Sequence, residues 1–169
     1  MNSTVDSAAH WVSLLSLAPH PEGGYFKETY RSSDAIPGGT FGERFSGSRS
    51  VCTGILYLLE AGDFSAFHRI RSDEMWHFYG GGPLELHILH DANHQVVRIG
   101  RDVRSGEHLQ FVVPAGAWFA SAPADGSTYS LLGCTVSPGF DFKDFEMASR
   151  SDLAREFPAH ADVVARFTR

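Results

Sequence analysis

The sequence has no uninterrupted apolar run of about 18 residues, the length a helix needs to cross a bilayer, so no membrane-spanning helix is expected. It also has no basic block. Formal net charge is -6, with 14 Lys and Arg against 20 Asp and Glu, the wrong balance for gripping a phosphate backbone, and no nucleic-acid partner is expected. The first residues lack the basic-then-apolar build of a secretory signal. Two cysteines, Cys52 and Cys134, make neither a disulfide framework nor a zinc-ligand spacing. Both lie in apolar runs and read as buried free thiols, with a single disulfide as the alternative, and a reducing, cytoplasmic setting is expected. There is no internal repeat and no low-complexity tail.

What the chain does have is enough apolar side chain for one core. Of 169 residues, 43% are hydrophobic and 13 are Phe, which fits a single domain spanning 1–169. Residues 6–17 carry apolar residues at helical spacing behind Asp6 or Ser7 as cap. Pro19 to Gly24 break that helix, and Tyr25 to Arg31 alternate as a strand. Residues 32–50, rich in Gly and Ser, read as a long loop with a little strand. Short strands follow at about 52–59, 65–70, 74–79, 84–90, 95–100, 109–114, 118–121 and 129–136. Turn residues such as Gly80-Gly81-Gly82-Pro83 and Asp91-Ala92-Asn93 separate them. This spacing predicts an all-β antiparallel barrel over about 24–145, closed by helices within 151–167 that Pro158 divides.

The chemistry-bearing stretch is Gly62 to Gly81. Alternate strand residues share a face, so Ala66, His68 and Ile70 point one way, and Glu74, Trp76 and Phe78 point together on the next strand. If the two strands are neighbours, His68 and Glu74 meet inside the barrel. A histidine beside a carboxylate serves either as a general base or as part of a divalent metal site. Two ligands are few for a metal. His77 falls on the opposite face of its strand, and His87 and His90 fall on opposite faces of theirs, so these read as surface or hydrogen-bonded histidines. In Pro114-Ala115-Gly116-Ala117-Trp118-Phe119 a tight corner leads to an aromatic ring, which narrows a cavity or stacks on a flat ligand. Tyr25, Glu28, Tyr30 and Arg31 are placed to face one ligand, Arg31 by a bidentate grip on phosphate or carboxylate. The other reading makes the tyrosines strand core and Arg31 a solvated edge residue.

These motifs resemble the cupins, small double-stranded β-helix (jelly-roll) barrels. Gly62, His68, Glu74 and Gly81 match the first cupin signature at its spacing, and Pro114 and Gly116 match the second. Ile70 and Phe119 stand where the family has two further metal-binding histidines. The segment His20-Pro21-Glu22-Gly23-Gly24-Tyr25-Phe26, with Tyr30-Arg31-Ser32 and Ser72 to Tyr79, is similar to a branch called the fifth cupin family, which has no settled activity. Gly24-Tyr25-Phe26-Lys27-Glu28 and His68 also resemble the strand and base of metal-free sugar-nucleotide 3,5-epimerases.

The expectation is therefore a small-molecule-binding barrel, an isomerase or epimerase acting on a sugar phosphate or nucleotide sugar. His68 is its base, Glu74 orients it, and Tyr25, Glu28, Tyr30, Arg31, Trp76, Phe78 and Phe119 are the ligand contacts. The alternatives are a non-catalytic module holding a nucleotide or small aromatic ligand, and an enzyme with a divalent metal on His68 and Glu74. A homodimer is expected, because small barrels expose sheet edges.

Overall fold

A computed structural model describes residues 7–169. Helix α1 (Ala8–Leu15) starts where the Ser7 hydroxyl accepts from the His10 amide and ends at Ser16, in the left-handed region at φ 55°. Asp6, the other expected cap, lies outside the described residues. The strands are β1 (Ala18–Pro19), β2 (Tyr25–Arg31), β3 (Ala35–Ile36), β4 (Arg49–Ser50), β5 (Thr53–Glu60), β6 (Ser65–Arg69), β7 (Asp73–Gly81), β8 (Leu84–His90), β9 (Asn93–Ile99), β10 (Gln110–Val113), β11 (Trp118–Pro123), β12 (Tyr129–Ser137) and β13 (Glu146–Met147). Helices α2 (Arg150–Glu156) and α3 (Ala161–Arg166) follow, with a 3-10 turn from Pro158 between them.

Two antiparallel sheets face each other. One runs β1-β2-β5-β12-β7-β10 and the other β13-β6-β11-β8-β9, while β3 and β4 pair alone in the 32–50 loop. Period-2 alternation builds the interior: Leu84, Leu86 and Ile88 of β8 point inward with Val97 and Ile99, against Tyr57, Leu59, Trp76, Leu132 and Val113 from the opposite sheet. Outside the five-stranded sheet, Leu153, Phe157, Val164 and Phe167 of the C-terminal helices cover Phe67, Leu89 and Trp118. Outside the other sheet, Trp11, Val12 and Leu15 of α1 pack on Leu58, Tyr129 and Leu131.

One topological expectation is corrected. Strands β6 and β7 are not neighbours: β6 pairs with β11 and β13, and β7 with β12 and β10. Residues 70–72 carry the chain from one sheet to the other. A corner this short delivers the end of β6 and the start of β7 to the same end of the barrel, on facing walls.

Candidate functional site

That end of the barrel holds a cavity of about 310 Å3. Its lining includes His20, Glu22, His68, Ile70, Glu74 and Cys134 within, and Glu28, Arg31, Phe140, Asp141, Phe142 and Phe145 towards the mouth.

Glu22 comes from the turn that breaks α1 from the barrel. Gly23 and Gly24 adopt φ of 121° and 67°, open to glycine without the strain other residues meet. A side chain on Gly24 would run into the Leu58 carbonyl, so the chain presses against β5 there. Tyr57 Oη donates to the Gly23 carbonyl at 2.7 Å, Asp63 accepts from the Gly24 amide at 2.9 Å, and the Glu22 carbonyl accepts from Ala66 N at 2.8 Å. The turn is fixed from three sides, and the Glu22 carboxylate points inward, 6% exposed.

That carboxylate is the partner of His68. Glu22 Oε2 lies 3.1 Å from His68 Nε2 and 3.4 Å from His20 Nδ1. His68 Nδ1 sits 2.7 Å from the Ala66 carbonyl, which can only accept, so Nδ1 carries a hydrogen. Nε2 is left as the ring's accepting nitrogen, and a proton taken up there would lie between it and Glu22 Oε2. His20 is held neutral: burial lowers its pKa against the raising pull of Glu22, and His68 lowers it further. Its Nδ1 accepts from the Glu22 amide at 3.3 Å, as a neutral ring can. Phe119 and Phe145 pack on the His68 ring at 4.1 and 5.2 Å between centroids and fix its orientation.

Glu74 lies on the facing wall with the opposite proton state. Burial, then the charge of Glu22, pushes its carboxyl up to about 8, against a smaller opposing pull from a hydrogen bond with Cys134. At neutral pH it is a carboxylic acid. Cys134 is a free thiol, as is Cys52, and burial beside Glu74 pushes the Cys134 thiol well up.

The structure regroups the expected site residues. His68, Glu74, Glu28 and Arg31 line the cavity. Glu74 does not orient His68; Glu22 does, because β6 and β7 face each other across the cavity instead of pairing. Tyr25 packs under α1 and Tyr30 points to solvent, 55% exposed. Trp76 is buried in the inter-sheet core with Phe78 packed against it, and Phe119 stands behind His68, so none of the three borders the cavity. Arg31 is not free to grip an anion. It holds Glu28 through Nε and Nη2 at 2.9 and 2.7 Å and donates to the Phe140 carbonyl at 3.1 Å. His77 faces away from the cavity, bonded to Thr135 and Gln110.

The donor set does not fit the divalent metal expected on His68 and Glu74. Both His68 nitrogens are engaged, Glu74 retains its proton, and Ile70 and Phe119 put hydrocarbon where donors are needed. Among the described residues no group of three or more His, Cys, Asp or Glu is arranged to hold a metal. The place of Glu22 in the cavity was not readable from the sequence because a turn has no periodicity to reveal where a side chain points; its position between Pro21 and two glycines was the available signal.

The family described as Cupin superfamily (DUF985) matches residues 9–148. The chain belongs to the cupin superfamily. This cupin is 31% identical over 147 residues to an uncharacterized protein of Saccharomyces cerevisiae, covering 80% of this chain and 72% of the yeast protein. A hypothetical protein from Leishmania major superposes with a TM-score of 0.88 at 37% identity, over 96% of this chain and 99% of that one. Protein SO0799 from Shewanella oneidensis gives 0.86 at 36%, over 97% and 98%. Oxalate decarboxylase from Bacillus subtilis, at 11% identity and a TM-score of 0.53 over 88% of this chain and 36% of its own, shares the fold alone. The jelly-roll barrel with short terminal helices is thus the cupin architecture.

Proposed function

We propose that this cupin is a proton-transfer enzyme of the isomerase or epimerase type, acting on a small carbonyl compound with a removable C–H beside the carbonyl. The observation that carries this reading is one cavity with two proton states on facing walls: the His68–Glu22 pair, able to accept a proton, and Glu74, able to give one. Environments that push titratable groups apart in this way mark acid and base roles. Where the carbon that loses the proton carries a hydroxyl, the His68–Glu22 pair takes that proton while Glu74 protonates the carbonyl oxygen, giving an enediol; Glu74 then takes back the proton of the other hydroxyl as the pair returns its own to the former carbonyl carbon, so both groups are restored and the carbonyl has moved by one carbon. The cavity volume suits a monosaccharide-sized ligand, near the small end of the roughly 300–1,000 Å3 of typical pockets. With Arg31 tied to Glu28, no side chain is poised to read a phosphate, so an unphosphorylated substrate fits better than a nucleotide sugar.

The test is hydrogen exchange in D2O, followed by NMR, on a panel of small aldoses, ketoses, amino sugars, sugar phosphates and sugar nucleotides. His68→Gln is expected to lower exchange by about a hundredfold or more, the range for loss of a general base, with folding intact. Undiminished exchange in His68→Gln sinks the proposal. A second reading, a binding module without chemistry, is favoured by the rings of Phe26, Phe140, Phe142 and Phe145 on the cavity wall. Ligand-induced stabilisation with no exchange in the wild-type protein would select it.

A further inference from the structure

Four carboxyl groups line the cavity, those of Glu22, Glu28, Glu74 and Asp141. Three basic side chains also line it, and none is free to meet an anion. Arg31 spends its fork on Glu28 and the Phe140 carbonyl. His68 faces Glu22 with one nitrogen and the Ala66 carbonyl with the other. His20 is neutral and buried, its Nδ1 turned to Glu22. Arg31 is taken up by Glu28, and His68 faces Glu22. That leaves Asp141 at the mouth, its Oδ1 taken by the Lys143 amide at 2.9 Å.

The wall above these groups is aromatic. Phe140 and Phe142 lie 4.9 Å apart between centroids, Phe142 and Phe145 6.0 Å, and His20 and Phe26 4.6 Å. Phe142 is 54% exposed, so the ring at the entrance is open to a visitor. The electron-rich face of an aromatic ring attracts a cation, most strongly where water is excluded.

We infer that the ligand of this cavity carries a positive charge: it is a small organic ammonium, seated against the Phe140–Phe142–Phe145 rings with Asp141 at the entrance. This deepens the reading above, resting on it for the place of the site and not for the reaction. An ammonium group near a carbonyl would also acidify the C–H between them.

The experiment compares choline with its uncharged isostere 3,3-dimethylbutan-1-ol by isothermal titration calorimetry on the whole chain. Inorganic phosphate serves as the anionic control. Choline is expected to bind at least about tenfold tighter than the alcohol, the ratio a cation–π contact with Coulomb support provides. Phe142→Leu and Asp141→Asn, both at the mouth, are each expected to shrink that ratio. Choline titrated at neutral pH in two buffers of different ionisation heat should also show proton release, because a cation in the cavity favours ionised Glu74, whereas the alcohol should show none. Equal or weaker binding of choline, binding of neither compound, or binding of phosphate alone overturns the inference. His68-dependent C–H exchange that survives such a result leaves the proposed reaction standing. Choline binding without any exchange leaves a cation-binding module.

Discussion

At position 74 a carboxyl group is kept uncharged by its surroundings, and removing its charge altogether should help the fold. A carboxyl whose pKa rises from 4.5 to about 8 on folding binds a proton that the unfolded chain releases, so it weakens the fold progressively as pH climbs from 4.5 to 8. Glu74→Gln keeps the shape and removes that weakness. Its stability should match the wild type near pH 4.5 and exceed it increasingly up to pH 8, by an upper limit of about 5 kcal/mol at 1.36 kcal/mol per pH unit. Urea unfolding at pH 5 and pH 8 checks this, and a gain that does not grow with pH refutes it. The same variant should lose proton transfer, since Gln cannot hand a proton to a carbonyl oxygen. Residue by residue, strand parity was a sound guide to what points inward: His68, Ile70 and Glu74 all reach the cavity. Parity was silent on neighbours. Trp76 shares a face with Glu74, but two residues along β7 that face meets the packed core instead of the opening, and nothing in the alternation marks where the core ends.

The element that matters most for access is the segment from Pro138 to Phe145, which roofs the cavity between β12 and β13. It contributes three of the wall rings and is tied down by the Gly139 amide, which donates to the Ser50 carbonyl at 2.7 Å, by the Phe140 amide, which donates to Thr53 Oγ1 at 2.9 Å, by Arg31, which donates to the Phe140 carbonyl at 3.1 Å, and by Asp144, which forms a two-pronged ion pair with Arg49 at 2.7 and 2.8 Å. Both partners of that pair are buried. Removing one partner strands the other charge away from water, a loss of about 3–5 kcal/mol. Asp144→Ala should therefore destabilise by that order in urea unfolding. An Arg49→Met, Asp144→Leu double variant should recover most of it, because the cost lies in the unpaired charge. A single variant within about 0.5 kcal/mol of wild type would mean that the pair does not anchor the roof. None of this was readable beforehand. Residues 138–145 carry no strand or helix pattern, and Arg49 sits in a Gly- and Ser-rich loop 95 positions from its partner. The long strands were legible because alternation and turn residues agree along them: β2 spans 25–31 as the pattern predicts, and β8 spans 84–90. Two-residue strands such as β13 are too short to alternate, and they form only because a longer strand offers an edge.

For the whole molecule, two buried groups on opposite sides of the five-stranded sheet set opposing pH slopes. His87 lies outside that sheet beneath the C-terminal helix, its ring 4.5 Å from Phe167 and its Nδ1 3.1 Å from His94 Nε2. Burial first, then His94, lowers its pKa from 6.5 to about 4; Glu85 pulls the other way and Arg166 adds to the lowering. His160 stands beyond His94, with ring centroids 5.5 Å apart, and helps keep that ring neutral. Between pH 4 and 6.5 the unfolded chain binds a proton at His87 that the folded chain refuses, so this contribution rises with pH there. Glu74 does the reverse between 4.5 and 8. The two slopes cancel from pH 4.5 to 6.5, and Glu74 acts alone from 6.5 to 8. Measured against a double variant lacking both groups, the wild-type protein should hold level stability up to pH 6.5 and then decline by roughly 1.4 kcal/mol per pH unit. His87→Leu alone should decline over the whole range from 4.5 to 8, and Glu74→Gln alone should rise to pH 6.5 and then level off. Urea midpoints across that range separate the four curves. If the wild type and His87→Leu run parallel below pH 6.5, His87 is charged in the folded protein, and the C-terminal helix does not depend on its neutrality.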